Sequence, residues 1–182
     1  MPPVIFSTLM VTVSPLAERF RPVPEEGWRL IFSALCRGPY EELAKHKITS
    51  YMPLFISRMQ AIDESADEAL ILDFNDNILE GTASNIFAII DREIVTPPRR
   101  APILPGVTRA FVIERCRALD IPVRQRTMTL EDLAAADVLF ATNSLVGIVP
   151  VGQWEKQSYD IDHPILEKLL DDFRQQTSGA TP

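Results

Sequence analysis

Apolar positions fall in short blocks separated by polar turns, and their spacing alternates between strand-like and helix-like along the chain. Val4 to Val13 is rich in β-branched and apolar residues and stops at Ser14-Pro15, which predicts a buried strand. Pro15, Pro22 and Pro24 then predict an extended loop, because proline donates no hydrogen bond and fixes its own backbone angle. Trp28 to Leu35 reads as a second strand, although a block of this length also suits a short helix. Leu54, Ile56, Met59 and Ile62 recur at helical spacing and predict a helix over Met52–Asp63 with Pro53 in its first turn. Ala69–Leu72 and Ile78–Glu80 read as strands joined at the Asn75-Asp76-Asn77 turn. Ile86–Ile90 and Ile94-Val95 read as a hairpin about Asp91-Arg92-Glu93, and Pro97–Pro102 as a loop.

In the second half, Pro105-Gly106 precedes a predicted helix marked by Val107, Ala110, Phe111 and Ala118, with Glu114 the polar exception. Ile121–Arg126 is a strand, Thr129 starts a short capped helix through Ala136, and Asp137–Ala141 and Ile148–Val151 are strands. Asp162 and Pro164 open a last helix whose apolar face is Ile165, Leu166, Leu169, Leu170 and Phe173. The end of the chain, from about Gln175 to Pro182, is expected to fray.

Composition narrows the functional classes. The chain has 182 residues, is 46% hydrophobic and 24% charged, and suits one globular domain. A net charge of −7 with one basic doublet, Arg99-Arg100, argues against nucleic acid as a partner. Cys36 and Cys116 lie far apart, and His46 and His163 pair with neither, so no metal site is expected. Met1-Pro2-Pro3 carries no basic leader and no run is long enough to cross a membrane, which leads us to expect a cytoplasmic protein. A Ser-His-Asp hydrolase is disfavoured because no nucleophile elbow is present.

The chemistry concentrates between Lys47 and Phe87. Glu80-Gly81-Thr82-Ala83-Ser84-Asn85 places a carboxylate before small and hydroxylated residues, which leave room for a flat ligand and can hydrogen-bond to it. Lysines are scarce, at positions 45, 47, 156 and 168, and a lysine amine is the group that can condense with a carbonyl. A helix starting after Gly106 offers unpaired N–H groups and a positive dipole end, and Thr108 a hydroxyl. Thr142-Asn143-Ser144 is a polar triplet after a buried strand, equally compatible with a plain turn.

Lys47, Glu80–Asn85, Leu104-Pro105-Gly106-Val107-Thr108-Arg109 and Asn143-Ser144 follow in the order seen in class IV aminotransferases, which the chain resembles from its first strand to about Val151. That family includes branched-chain and D-amino acid aminotransferases and aminodeoxychorismate lyases, and it uses pyridoxal 5'-phosphate (PLP). The resemblance implies an α+β fold, with the mixed-sheet, barrel-like large domain of the D-amino acid aminotransferase-like enzymes, over residues 1–176 and a frayed tail at 177–182. It implies Lys47, in preference to Lys45, as the catalytic and cofactor-bearing residue, and Glu80 as the partner of the pyridine nitrogen. By the same likeness Val107, Thr108, Asn143 and Ser144 contact the cofactor phosphate, and Leu145 and Val146 lie near the substrate carboxylate. Tyr51 stands four residues after Lys47, one short of the cofactor-contacting tyrosine of branched-chain enzymes, and is not given that role.

The activity so implied is amino transfer between an amino acid and a 2-oxo acid. A lyase releasing 4-aminobenzoate and pyruvate from aminodeoxychorismate is the alternative, and a non-catalytic interaction module the third reading. The family's small N-terminal domain has no counterpart in this sequence, so a homodimer or a further domain is expected to complete the site.

Overall fold

Glu68–Asp73 forms β2, a strand that buries every one of its side chains. The structure is a computed structural model that describes residues 9–13, 23–38 and 41–178. Around β2 lie β1 (Trp28–Arg37), β3 (Ile78–Gly81), β4 (Asn85–Ile90), β5 (Glu93–Thr96), β6 (Val123–Gln125), β7 (Val138–Asn143), β8 (Gly147–Trp154) and β9 (Gln157–Ser158). The helices are α1 (Met52–Asp63), α2 (Val107–Ala118), α3 (Leu130–Ala135) and α4 (Pro164–Ser178), and a 3-10 turn at Glu42–Lys45 precedes α1.

One mixed sheet runs in the order β3-β2-β1-β8-β7-β4-β5-β6, with β9 on β8. The pairs β1–β2, β1–β8 and β5–β6 are parallel and the rest antiparallel. The end of β3 returns to the start of β4 through Thr82–Ser84, and Ile78 bridges to Met128, so the sheet curls into a half-barrel. Leu30, Leu70, Ile78, Ile86, Leu139 and Val151 pack together in one apolar cluster. A second cluster joins Phe87, Ile89 and Phe140 to Val112 and Ile113 of α2 and Leu166 and Leu169 of α4. Phe87 and Phe140 are paired across β4 and β7 and stack at 4.8 Å. The fold is the α+β, mixed-sheet, barrel-like architecture implied by the resemblance.

Several elements depart from the sequence reading in detail. Residues 9–13 form no strand, and Leu9, Met10, Val11 and Val13 are exposed; the rest of the predicted Val4–Val13 strand, with Pro15 and Pro22, lies outside the described residues. α1 has the predicted bounds, but the face it buries is Ser57 and Ala61 with Leu54 half-buried, while Ile56, Met59 and Ile62 face out beside Met52 and Phe55. Small residues on the inner face let the helix lie close on β1 and β2. α2 also turns a different face inward: Thr108, Arg109, Val112, Ile113 and Cys116 are buried, whereas Val107 is exposed. The Arg115–Asp172 ion pair, at 2.7 Å, fastens α2 to α4.

The start of α3 carries the expected cap, in full capping-box form between Thr129 and Asp132. α4 opens differently, with His163 Nδ1 accepting from the Ile165 amide in place of an Asp162 cap. It continues through Ser178, into the stretch expected to fray, and 179–182 lie outside the described residues.

Phe140 is fully buried against Phe87 beneath α2 and α4. Phe140→Ala is therefore expected to lower the free energy of unfolding by about 3–5 kcal/mol in urea titrations.

Candidate active site at the end of the third strand

Glu80 is buried near the end of β3, and three groups converge on its carboxylate. Arg37 Nη1 donates to Oε1 at 2.6 Å, and the Leu104 amide and Asn85 Nδ2 donate to Oε2 at 2.9 and 3.3 Å. Arg37 also donates to the Pro102 carbonyl at 2.6 Å, so the arginine ties β1 to the loop before α2. Its inward course follows from an irregularity in the β1–β2 register between Phe32 and Cys36, after which Arg37 is buried while Leu35 and Cys36 are exposed. Burial pushes the Glu80 carboxyl from the ordinary 4.5 up to about 7, with the Arg37 charge and the hydrogen bonds from Arg37 and Leu104 opposing the rise.

Asn85 joins the other segments to this carboxylate. Its Nδ2 also donates to the Leu104 carbonyl at 2.8 Å, and a Cβ on Gly106 would collide with its Oδ1. Position 106 must therefore be glycine for the entry of α2 to approach Asn85. Across the sheet Asn85 pairs with Thr142, which brings the end of β7 alongside. Glu80, the first turn of α2 and the strand leading to Asn143 thus meet at one edge of the half-barrel. No side chain caps α2, so its first-turn amides remain available as donors beside the buried Thr108 hydroxyl. Thr142 Oγ1 and Arg109 Nε are buried with no hydrogen-bond partner among the described residues, while Arg109 Nη2 donates to Pro97 O and Gln125 Oε1.

The β7–β8 turn is built by Asn143, whose Oδ1 accepts from both the Leu145 and the Val146 amides at 2.9 Å. The two backbone donors expected to face a substrate are therefore engaged within their own turn in this structure. Ser144 and Leu145 are exposed beside them.

Lys47 lies in the segment between the 3-10 turn and α1, exposed like all of residues 46–53. Lys45 differs: its ammonium pairs with Glu42 at 2.8 Å. The Lys47 segment is tied to the sheet by Tyr51, whose hydroxyl donates to the Thr82 carbonyl at 2.5 Å. Beneath that turn lies Glu68, 2% exposed, which accepts from the Ala69, Thr82 and Ala83 amides and from the Thr82 and Ser84 hydroxyls. Sequence reasoning gave no role to Arg37 or Glu68, and named Arg109 and Thr142 only as members of longer motifs. The alternation of β2 and β7 could have turned Glu68 and Thr142 inward, but nothing local to Arg37 signals its burial.

The sequence profile of the family described as amino-transferase class IV matches residues 6–154. The chain belongs to this family. A relative from Thermotoga maritima named a probable branched-chain-amino-acid aminotransferase is 30% identical over 129 residues, 70% of this chain and 46% of that protein. Among solved structures, the 4-amino-4-deoxychorismate lyase from Pseudomonas aeruginosa is 28% identical with a TM-score of 0.77, covering 83% of this chain and 56% of that one. A branched-chain amino acid aminotransferase from T.th., solved with pyridoxamine 5'-phosphate, is 28% identical with a TM-score of 0.79, covering 86% and 52%. The class IV chain thus spans about half the length of the relatives it matches. These likenesses are all to enzymes, and none supports the non-catalytic module. No helix among the described residues is long and apolar enough to cross a membrane, and no cluster of metal ligands occurs there.

A raised carboxyl pKa means that between about 4.5 and about 7 the folded chain holds a proton that the unfolded chain has released. Stability contributed at Glu80 is accordingly expected to fall as pH rises through that window. Urea midpoints of wild type should decline across it more steeply than those of Glu80→Gln. Gly106→Ala is expected to displace Asn85 and cost about 1–3 kcal/mol by the same titration.

Proposed function

We propose that residues 1–176 are the cofactor-binding large domain of a PLP-dependent aminotransferase, moving an amino group between an amino acid and a 2-oxo acid. The observation that carries this reading is the convergence on Asn85 of a buried carboxylate and an uncapped helix start. An acid at one end and free amide donors at the other match a ring with a basic nitrogen and a phosphate tail. Thr142 Oγ1 and Arg109 Nε add buried polar atoms still without partners among the described residues. The site residues therefore fit the group, and the relative solved with pyridoxamine 5'-phosphate supports the choice.

PLP, when bound, supplies an electron sink for negative charge at the substrate α-carbon. Glu80, ionised above about 7, keeps the ring nitrogen protonated, and Arg37 holds the carboxylate in place and limits its basicity. The amides of Val107 and Thr108, with the Thr108 hydroxyl, would seat the phosphate, with Asn143 and Ser144 of the β7–β8 turn as its further contacts. Lys47 Nζ would hold the cofactor, and its amine would serve as the base for the substrate α-proton. Leu145 and Val146 border the substrate carboxylate.

A second reading, 4-amino-4-deoxychorismate lyase, is favoured by Asn143, at the position where lyases of the family carry asparagine, and by the likeness to the Pseudomonas aeruginosa enzyme. It uses the same cofactor and the same lysine.

The purified chain incubated with PLP is expected to develop a visible absorption band, and borohydride should fix the label on Lys47 by mass spectrometry. Lys47→Ala should abolish the label and Lys45→Ala leave it; a label on Lys45 would reassign the amine. Glu80→Gln should retain cofactor yet lose most turnover, read with branched-chain amino acids, D-alanine and aminodeoxychorismate as substrates.

A further inference from the structure

Glu68 has no part in the chemistry above, yet it is one of the most heavily hydrogen-bonded side chains in the structure. Five donors reach its two oxygens, and no cation pairs with it among the described residues. Gly81 makes room for it, since a Cβ there would stand 2.9 Å from Glu68 Cγ and Cδ and closer still to Ser84 Oγ. The carboxylate is thus built into the turn that separates Glu80 from Asn85.

What it does to that turn follows from one peptide plane. The Ala83 N–H points at Glu68 Oε2, 3.2 Å away. The chain has no cis peptide among the described residues, so the Thr82 carbonyl, in the same plane, points the opposite way. That carbonyl is the acceptor of the Tyr51 hydroxyl. Residues 46–53 are all exposed, and the Tyr51 hydroxyl is their side-chain tie to the β3–β4 turn.

We propose that Glu68 is a positioning residue: by fixing the Thr82–Ala83 peptide it presents the carbonyl that docks Tyr51, and so holds the segment carrying Lys47 against the β3–β4 turn. Only the identity of Lys47 as the reacting amine rests on the functional reading above. The docking itself is a property of the folded chain.

The test uses the full chain in four variants: Glu68→Gln, Glu68→Asp, Tyr51→Phe, and Glu68→Gln with Tyr51→Phe. Without cofactor, the Tyr51 phenol is titrated by ultraviolet absorbance, with Tyr51→Phe identifying its component. Burial, aided by the charges of Glu68 and Glu80, raises this phenol above its ordinary value. Loss of docking should bring it back toward that value in both Glu68 variants. Glu68→Asp separates positioning from charge, because it keeps the negative charge and shortens the reach. Unchanged Tyr51 titration in Glu68→Asp or in Glu68→Gln would overturn the proposal.

With PLP, the rate of label formation on Lys47 should fall about tenfold in each single variant and no more than about twofold further in the double. Independent losses multiplying to about a hundredfold would also overturn it. If Tyr51 titration moves in both Glu68 variants while no chain, wild type included, takes up PLP, the positioning stands and the functional reading fails. Should the Glu68 variants not fold, Thr82→Val, which removes one of the five donors, decides: a smaller shift in the same direction supports the proposal, and none overturns it.

Discussion

Two carboxylates, Glu68 and Glu80, are buried about the Thr82–Ser84 turn, and the site depends on how their charges are held. A buried charge costs several kcal/mol unless donors or a counter-ion replace the lost water. Glu80 is held by a guanidinium, an amide and an asparagine; Glu68 is held by neutral donors of the turn itself. The two solutions differ in what they demand of the chain. The first requires β1, the loop at Pro102 and the start of β4 to come together, so it couples distant segments. The second requires β2 to lie beneath that turn, and it fixes which way the backbone groups of Thr82 and Ala83 face.

From this constraint the remaining architecture around the site follows. The half-barrel places the end of β3 and the start of β4 side by side, and the β4–β7 pairing brings Thr142 to Asn85. Glycines at 81 and 106 permit close approach on both flanks of Asn85, one to Glu68 and the other to the entry of α2. A small apolar cluster of Ile71, Leu79 and Ile103 backs this edge, while one larger cluster fills the curl of the sheet and the other joins the sheet to α2 and α4. Strand packing thus supplies the rigidity, and the polar edge inherits it.

Much of this was legible in the sequence because local pattern and fold agree. The hairpin at Asp91-Arg92-Glu93, the helix that begins after Gly106 and the Thr129 cap all follow from turn chemistry and spacing alone. The Glu80–Asn85 run announced itself by composition. What was hidden shares one physical cause, which is polar residues turned inward by long-range contacts. Arg37 looks like a solvated strand end until the β1–β2 irregularity and the Pro102 carbonyl are known. Glu68 follows Asp67 and reads as half of an acidic surface pair, whereas Asp67 instead accepts from the Arg29 amide. On α2, Thr108 and Arg109 occupy the buried stripe, so the apolar periodicity selected a neighbouring face.

The two thiols occupy opposite environments. Cys116 is sealed within the α2 packing, where burial pushes its pKa up to about 12, while Cys36 is exposed immediately before Arg37. A thiol-directed dye therefore has one exposed thiol, next in sequence to the guanidinium that grips Glu80. This sequence already carries a single thiol address for a fluorophore or spin label beside the arginine of the buried Arg37–Glu80 pair.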